Sequence, residues 1–314
     1  MSLDRARFLE AWRRVRRNHG AAGIDSQTLA AAEEYGVARL LAELADDLRH
    51  GRYRPPPVLR RYIPKTAGVV RPLGIPTVKD RVAQMAAKLV LEPIFEADFR
   101  RSSYGYRPRR SALHALETIR EAANAGAECV LDADIADFFG SLDHGLLLAL
   151  VAKRISDRRV LRLIRRWLGA GVLEEGRIRA TVAGVPQGGV ISPLFANIYL
   201  HRLDLVWEGH CSTVGTLVRY ADDFVVLARS PEALAEAERR VRLILDRLRL
   251  GLNPDKTRTL SLSQGHQGFE FLGHYLRKRV SGKLLARGIR RYYLQRWPSP
   301  RSMRRVRQRV HELG

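Results

Sequence analysis

The chain has 314 residues, of which 46% are hydrophobic, enough to bury a core in one large domain or two smaller ones. Lys and Arg number 55 against 33 Asp and Glu, and the net charge of +22 favours a polyanionic partner such as nucleic acid, although a ribosomal or chromatin-type surface would have the same charge. Two cysteines and the lack of any apolar run near the roughly 20 residues of a bilayer span argue against a disulfide framework and a membrane protein, and a reducing cytoplasm fits.

The first third of the chain reads as helix, extended segment and hairpin. Residues 4–17 are predicted to form a basic helix, and a second apolar helical stripe runs from Val37 to Leu48. Three prolines from Pro55 end that helix. Two strands are then predicted at 59–64 and 69–72, on either side of a turn at Thr66-Ala67-Gly68.

The rest of the chain alternates between helix and strand. This mixed order, with an antiparallel hairpin in the middle, predicts an α+β fold. The predicted helices lie near 78–97, 111–124, 143–153, 157–168, 192–207 and 231–248, and the predicted strands near 129–135, 217–220, 224–228, 258–262 and 269–276.

Acidic residues interrupt apolar strands at two places. Asp222 and Asp223 lie at the tip of the predicted hairpin in LVRYADDFVVL, and Asp134 ends the apolar strand in VLDADIADFF. Carboxylates are the ligands that Mg²⁺ prefers, and two such ions about 3.5–4 Å apart can hold the attacking and leaving oxygens of a phosphoryl transfer. An ordinary turn would also explain the Asp pair if it stood alone. Together the three acids favour metal-assisted chemistry on phosphates.

Tyr220-Ala221-Asp222-Asp223 resembles the signature of reverse transcriptases, especially those encoded by group II introns. Further motifs of that family follow in its order, and the resemblance covers about residues 18–276. It implies an RNA-directed DNA polymerase with a right-hand α+β fold and an antiparallel palm sheet. The other motifs are NHGAAGID from Asn18, YIPKTAGVVRPLGIP from Tyr62, SYGYRPRRSALHAL from Ser103, GVPQGGVISPLFANIYL from Gly184, LNPDKT from Leu252 and FEFLGH from Phe269.

The resemblance assigns catalytic and metal-binding roles to individual residues. Asp134, Asp222 and Asp223 match the metal-binding triad, and Ile135 is assigned to both the metal and the substrate site. Two Mg²⁺ ions are implied, with Mn²⁺ as an alternative. Lys256 matches a lysine suited to protonating the leaving pyrophosphate. Asp132, two residues before Asp134 on the same strand face, is interpreted as a helper or surface acid.

Substrate-binding roles follow in the same way. The resemblance implies that Lys65 and Arg71 bind the incoming deoxynucleoside triphosphate and that Phe139 forms an aromatic wall against a 2′-hydroxyl, with Phe138 in the core. Gln187, in a glycine-rich loop, faces the template–nucleotide pair. The remaining assignments are Arg107 and Arg109 to the template strand, Phe271-Leu272-Gly273 to the primer end, and His144 with Asp143 to a structural pair.

The resemblance also implies a division into fingers, palm and thumb. Fingers are expected at about 1–125 and 175–205 and palm at about 126–174 and 206–276. Residues 277–314, with 13 basic residues and one acidic residue, form a basic connection and the start of a thumb or maturase domain. Ser299 is predicted to cap its first helix. A helical thumb truncated at this point would need partner helices, and a separate chain is one source.

Two other functions fit parts of the sequence. One is an RNA-binding splicing cofactor, or maturase, whose polymerase site is incidental, and the other is an RNA-directed RNA polymerase. The expected partners are an RNA template, a DNA or RNA primer and group II intron RNA. The intact carboxylates favour the polymerase over a purely binding role, and Phe139 favours deoxynucleotides over ribonucleotides.

Overall fold

A computed structural model describes residues 5–64 and 70–313. Its helices are α1 (Arg5–Arg17), α2 (Leu29–Arg49), α3 (Val78–Glu96), α4 (Ala112–Asn124), α5 (Phe138–Ser141), α6 (His144–Ala152), α7 (Arg158–Leu168), α8 (Ser192–His210), α9 (Pro231–Arg247), α10 (Gly282–Leu285) and α11 (Pro300–Leu313). Its strands are β1 (Val58–Pro64), β2 (Val70–Ile75), β3 (Cys129–Ala133), β4 (Val172–Glu174), β5 (Arg177–Arg179), β6 (Thr216–Tyr220), β7 (Asp223–Ala228), β8 (Arg258–Ser261), β9 (Gly268–Phe271), β10 (His274–Val280) and β11 (Tyr292–Pro298). Within this part of the chain, no helix combines the length and hydropathy needed to cross a bilayer.

The α+β prediction is confirmed, and most predicted elements lie within a few residues of their observed bounds. The predicted strand at 269–276 is instead the hairpin of β9 and β10, because Leu272 and Gly273 form a tight turn with φ angles of 48° and 75°. Strands β4, β5 and β11 were not predicted, since short or charged segments such as Arg177–Arg179 lack an alternating pattern. The predicted turn at Thr66-Ala67-Gly68 lies outside the described residues.

The chain divides into two compact units, of which unit 1 contains residues 1–99 and 137–199. Helix α1 buries one face, with Phe8, Trp12 and Val15 in the core, and packs against α2 and α3. A four-stranded sheet has the order β2-β1-β4-β5. Strand β1 pairs antiparallel with β2 and parallel with β4.

Unit 2 contains residues 100–136 and 200–314. Its main sheet has the order β6-β7-β3-β8, with every neighbouring pair antiparallel. A second sheet has the order β11-β10-β9. The apolar face of α4, including Leu116 and Ile119, packs in one core with Val218 and Val225 of the main sheet. This core supports the two strand ends at which the acidic residues lie.

The two compact units differ from the predicted fingers and palm in their boundaries. Residues 100–125 belong to the unit of the main antiparallel sheet, because α4 shares its core. Residues 137–174 belong to unit 1, where α6 and α7 pack on each other. The assignment of fingers and palm to these units stays a prediction.

The C-terminal helix α11 begins as predicted, because Ser299 Oγ accepts a hydrogen bond from Ser302 N at 3.2 Å. The backbone N of Ser299 and the hydroxyl of Ser302 both donate to Gly273 O, at 2.9 and 2.8 Å. The start of α11 is therefore attached to the β9–β10 turn. Its apolar stripe of Met303, Val306, Val310 and Leu313 is exposed.

Candidate active site

Two neighbouring strands of the main sheet bring the predicted acidic residues together. Ala133, the last residue of β3, pairs with Phe224 of β7, so Asp134 and Asp223 lie at the same end of adjacent antiparallel strands. Tyr220 pairs with Asp223, which leaves Ala221 and Asp222 as the two-residue turn of the β6–β7 hairpin. Ala221 has a φ of 59°, in the left-handed region that tight hairpin turns require.

The acidity of Asp223 is strongly perturbed. Desolvation, followed by the negative charges of Asp222 and Asp134, raises the pKa of Asp223 to about 7. Asp223 keeps contact with solvent, so the neighbouring carboxylates are the firmer cause. A hydrogen bond with Asp134 raises the pKa further, because two carboxyl groups can share such a bond only when one holds a proton. The cluster thus carries more negative charge than it can stabilise alone.

Asp134 is held by three groups from the loop that precedes β8. Lys256 Nζ lies 2.7 Å from Asp134 Oδ2, and Asn253 Nδ2 donates to the same oxygen at 3.3 Å. The backbone N of Asn253 donates to Asp134 O at 2.8 Å. Ile135 forms a bridge with Leu252 and has a buried side chain, so only its backbone is available to a ligand. This loop therefore sets both the position and the charge partner of Asp134.

Asp132 is separate from this cluster. Arg258, its register partner on β8, donates from Nε to Asp132 Oδ2 at 2.9 Å. Desolvation raises the pKa of Asp132, and the Arg258 contact opposes that rise. The ion pair with Arg258 explains why an acidic residue is present at position 132, so Asp132 does not need a direct role in the site.

The donor set suits a divalent cation. Among the described residues, no three His, Cys, Asp or Glu side chains form a ready-made metal site. Lys256 pairs with Asp134, while desolvation and the nearby carboxylates raise the pKa of Asp223. The cluster therefore contains more carboxylate groups than positively charged partners. Carboxylate oxygens are hard ligands of the kind that Mg²⁺ or Mn²⁺ prefers. These residues therefore fit the metal that the sequence predicts.

A second group of predicted residues lies in unit 1, around the Gly184–Gly189 loop. Val185 N donates to Phe139 O at 2.7 Å, and Gly74 N of β2 donates to Gln187 O at 2.7 Å. Gly184 has a φ of 87°, and a Cβ there would lie 3.0 Å from Phe139 O, so only glycine fits. The loop thus joins α5, which carries Phe139, to the strand that carries Arg71.

The exposure of the side chains varies within this second group. Phe138 is buried, whereas Phe139 is half-buried, with its ring edge-on to Phe138 at 5.2 Å between centroids. Arg71 is exposed on β2. Lys65 lies outside the described residues. His144 and Asp143 are structural, since Asp143 Oδ1 accepts from Leu146 N at 2.7 Å and caps α6.

Two predicted nucleic-acid contacts need correction. Arg107 is only 8% exposed, and its Nη1 donates to the carbonyl oxygens of Arg100 and Ser103 at 2.6 and 2.8 Å. Its guanidinium is thus committed to the backbone rather than to a template, whereas Arg109 is exposed. Phe271 is 5% exposed and lies in the unit 2 core, so a primer contact is left to the Leu272-Gly273 turn.

A buried ion pair next to the acidic hairpin was not predicted from the sequence. Arg219 of β6 and Asp204 of α8 are both 0% exposed, and Arg219 Nη2 lies 2.5 Å from Asp204 Oδ2. A charged residue inside the otherwise apolar run LVRY was the available signal, because buried charges require partners. Asn253 was also not predicted, because Lys256 is the residue of the LNPDKT motif to which the resemblance assigns a role.

Known proteins resemble this chain along most of its length. Residues 63–276 match the family described as reverse transcriptase (RNA-dependent DNA polymerase). Protein YkfC of Escherichia coli strain K12 is 38% identical over 282 residues, covering 77% of this chain and 73% of YkfC. The group II intron-encoded protein LtrA of Lactococcus lactis subsp. cremoris is 40% identical over 200 residues, covering 63% of this chain and 33% of LtrA.

The fold has relatives among solved structures. The apo telomerase from Candida tropicalis, truncated from its C-terminal domain, superposes with a TM-score of 0.56. It is 15% identical, and the match covers 73% of this chain and 56% of that chain. At this identity the likeness concerns the fold alone. With the family match, the intron-encoded relatives and the acidic hairpin together, the chain belongs to the reverse transcriptase family of RNA-directed DNA polymerases, in its group II intron-encoded type.

Proposed function

We propose that this chain adds deoxynucleotides to the 3′ end of a DNA or RNA primer on an RNA template, by two-metal phosphoryl transfer. The observation that carries the proposal is the cluster of Asp134, Asp222 and Asp223, in which desolvation and the negative charges of its neighbours raise the pKa of Asp223 to about 7. A carboxylate group with this surplus of charge is suited to binding divalent cations together with a triphosphate.

The three carboxylates and the backbone carbonyl of Ile135 would hold the ions. Two Mg²⁺ ions, or Mn²⁺ in their place, would neutralise the charge that develops on the attacking and leaving oxygens. The Lys256 ammonium, which lies 2.7 Å from Asp134 Oδ2, would donate a proton to the leaving pyrophosphate.

Residues of unit 1 would select the nucleotide. Arg71, with Lys65, would bind the triphosphate, because a planar guanidinium and a compact ammonium offer complementary contacts to phosphate oxygens. The half-buried ring of Phe139 would exclude a 2′-hydroxyl. Gln187 would face the templating pair, and the hydrogen bond from Gly74 N to Gln187 O would keep its backbone in place. We propose template contacts for Arg109 and primer contacts for the turn at Leu272-Gly273.

A primer-extension assay with Asp222→Asn tests this function. The substitution removes one negative charge from the proposed metal site, and we expect a loss of extension of about 10³-fold or more. Asp246→Asn, an exposed aspartate on α9, is the matched control and should extend like the unmodified protein. RNA binding should survive in both variants, because phosphate contacts lie elsewhere. RNA binding without extension by the unmodified protein would instead favour the splicing-cofactor function.

A further inference from the structure

We propose that Arg219 is a positioning residue for the acidic hairpin, held in place by Asp204. The guanidinium of Arg219 would keep the Ala221-Asp222 turn in the shape that aligns the two aspartates. This inference rests on the proposed polymerase function, but it concerns groups that lie behind the site.

The Arg219 guanidinium is fully buried and bonded in several directions at once. Its Nε donates to Asp204 Oδ1 at 2.9 Å, and its Nη2 lies 2.5 Å from Asp204 Oδ2, a bidentate pair between β6 and α8. Nη2 also donates to Ser103 Oγ at 2.7 Å. A planar guanidinium can make all these bonds together, whereas a lysine ammonium cannot match the paired geometry.

A further bond of the guanidinium reaches the hairpin turn. Arg219 Nη1 donates to Ala221 O at 2.8 Å. That oxygen belongs to the planar peptide group that joins Ala221 to Asp222. A hydrogen bond to the oxygen therefore restrains the orientation of the whole peptide plane, and with it the backbone of Asp222. Ala221 has a φ of 59°, a conformation unfavourable for a residue with a Cβ. The bond to Arg219 therefore stabilises a strained residue between the strand and the two aspartates.

The Ser102–Gly105 segment also contacts the turn and the strand that leads into it. Tyr104 N donates to Arg219 O at 2.8 Å, and Arg219 N donates to Ser102 O at 2.7 Å. A Cβ at Gly105 would lie 2.4 Å from Ala221 N, so the two backbones are in close contact. The turn is thus in contact with both this segment and the guanidinium, and Ser103 Oγ links the segment to the guanidinium.

Packing alone does not explain an arginine at this position. Leu217 and Val218 on the same strand are buried apolar residues, and a buried ion pair is often no more stabilising than apolar residues of similar volume. A purely apolar side chain, however, would leave Ala221 O without this donor. The bond to the turn is therefore the feature that requires Arg219 and, through it, Asp204.

Three variants and a control test the proposal. Arg219→Lys keeps the charge but loses the fork, Asp204→Asn removes the charge of the anchor, and Ser103→Ala removes one outer contact. Arg242→Lys, on the exposed face of α9 and paired with Glu238, is the matched control. The measurements are thermal unfolding, hydrogen exchange of the peptide containing residues 217–224 without substrates, and single-turnover extension at increasing deoxynucleotide concentration.

We expect Arg219→Lys to lower the maximal extension rate about 10²-fold, because a small displacement of reacting groups has effects of that size. The deoxynucleotide concentration for half-maximal rate should change much less, and hydrogen exchange should accelerate at the hairpin turn while that of α9 is unchanged. Ser103→Ala should give a smaller change in the same direction, and it remains informative if the other variants unfold.

The proposal is overturned if Arg219→Lys and Ser103→Ala extend primers at the unmodified rate, or if any loss merely follows the unfolded fraction. If the proposed polymerase function itself is wrong, the unmodified protein will not extend primers, so the two outcomes can be distinguished. In that case the exchange rate at the turn still decides whether Arg219 positions the hairpin.

Discussion

Lys256 Nζ lies 2.7 Å from Asp134 Oδ2, although 122 residues separate the two in sequence. The backbone bond from Asn253 N to Asp134 O, at 2.8 Å, brings the Leu252–Thr257 loop to the end of β3 and so makes this ion pair. The ammonium stands beside a carboxylate that we assign to metal binding. The lysine thus supplies positive charge directly beside this carboxylate.

Stability without divalent cations should depend on pH through Asp223. The pKa of Asp223 is raised to about 7 from a model-peptide value of 3.8, so the folded protein holds a proton that the unfolded chain releases. The stabilisation is complete below about pH 4 and is lost as the pH rises through 7. We expect the unfolding temperature of the unmodified protein to fall over this range relative to that of Asp223→Asn.

The measurement is thermal unfolding from pH 4.5 to 8 in the presence of a chelator. Parallel curves for the two proteins would show that Asp223 titrates normally. Added Mg²⁺ should reduce the difference at high pH, because a bound cation replaces the proton as the neutralising charge.

Phe139→Ala should allow ribonucleotides to be incorporated. The ring of Phe139 is half-buried and lies edge-on to the buried ring of Phe138, which limits its movement. Loss of the ring would remove the proposed steric barrier to a 2′-hydroxyl, so we expect discrimination between deoxy- and ribonucleotides to fall by about 10-fold or more. Phe138→Leu is the control for a core change, and it should alter stability rather than discrimination. Unchanged discrimination in Phe139→Ala would assign Phe139 to packing.

Basic residues on α11 should contribute to the salt dependence of nucleic-acid binding. Arg304, Arg305 and Arg307 are exposed on this helix, and α11 is attached to the proposed primer-binding turn through Ser302 Oγ and Gly273 O. If all three contact phosphates, their replacement by Gln should reduce the slope of log affinity against log salt by about 2–3. The test is to measure template–primer affinity by titration at salt concentrations from about 50 to about 300 mM.

The same triple replacement on α9, at Arg239, Arg242 and Arg247, is the matched control for net charge. Equal slopes for the two triple variants would mean that α11 contributes only general charge and no specific contacts.

Tyr53→Phe should destabilise unit 1 through a buried network. Tyr53 donates its hydroxyl to Asp80 and accepts a hydrogen bond from Trp167 Nε1 at 3.1 Å. Removing the hydroxyl leaves a buried carboxylate and an indole N–H without this partner, and we expect a loss of about 1–3 kcal/mol in unfolding free energy. Tyr35→Phe removes an exposed hydroxyl that bonds Glu43 and should cost much less. Similar losses for the two variants in denaturant titrations would contradict the role of burial.

The sequence by itself determined the family, the acidic residues and most secondary structure. Asp134, Asp222 and Asp223 stand out because carboxylates in apolar strands are costly, and the helical stripes of α4 and α9 follow directly from hydrophobic spacing. These features are local, since each depends on a few neighbouring residues of one segment. The same holds for Ser299, which was recognisable as a helix cap before the tertiary structure was known.

Only the tertiary structure decided which polar groups meet. Arg107 reads as a free cation in the sequence but bonds backbone carbonyls, and Phe271 reads as a primer contact but is buried in the unit 2 core. Arg219 stands inside an apolar strand, but its partner Asp204 on α8 is identified only in the folded chain. Such pairs join residues far apart in the chain, and their energies depend on burial and hydrogen-bond geometry, which arise only when the chain is folded.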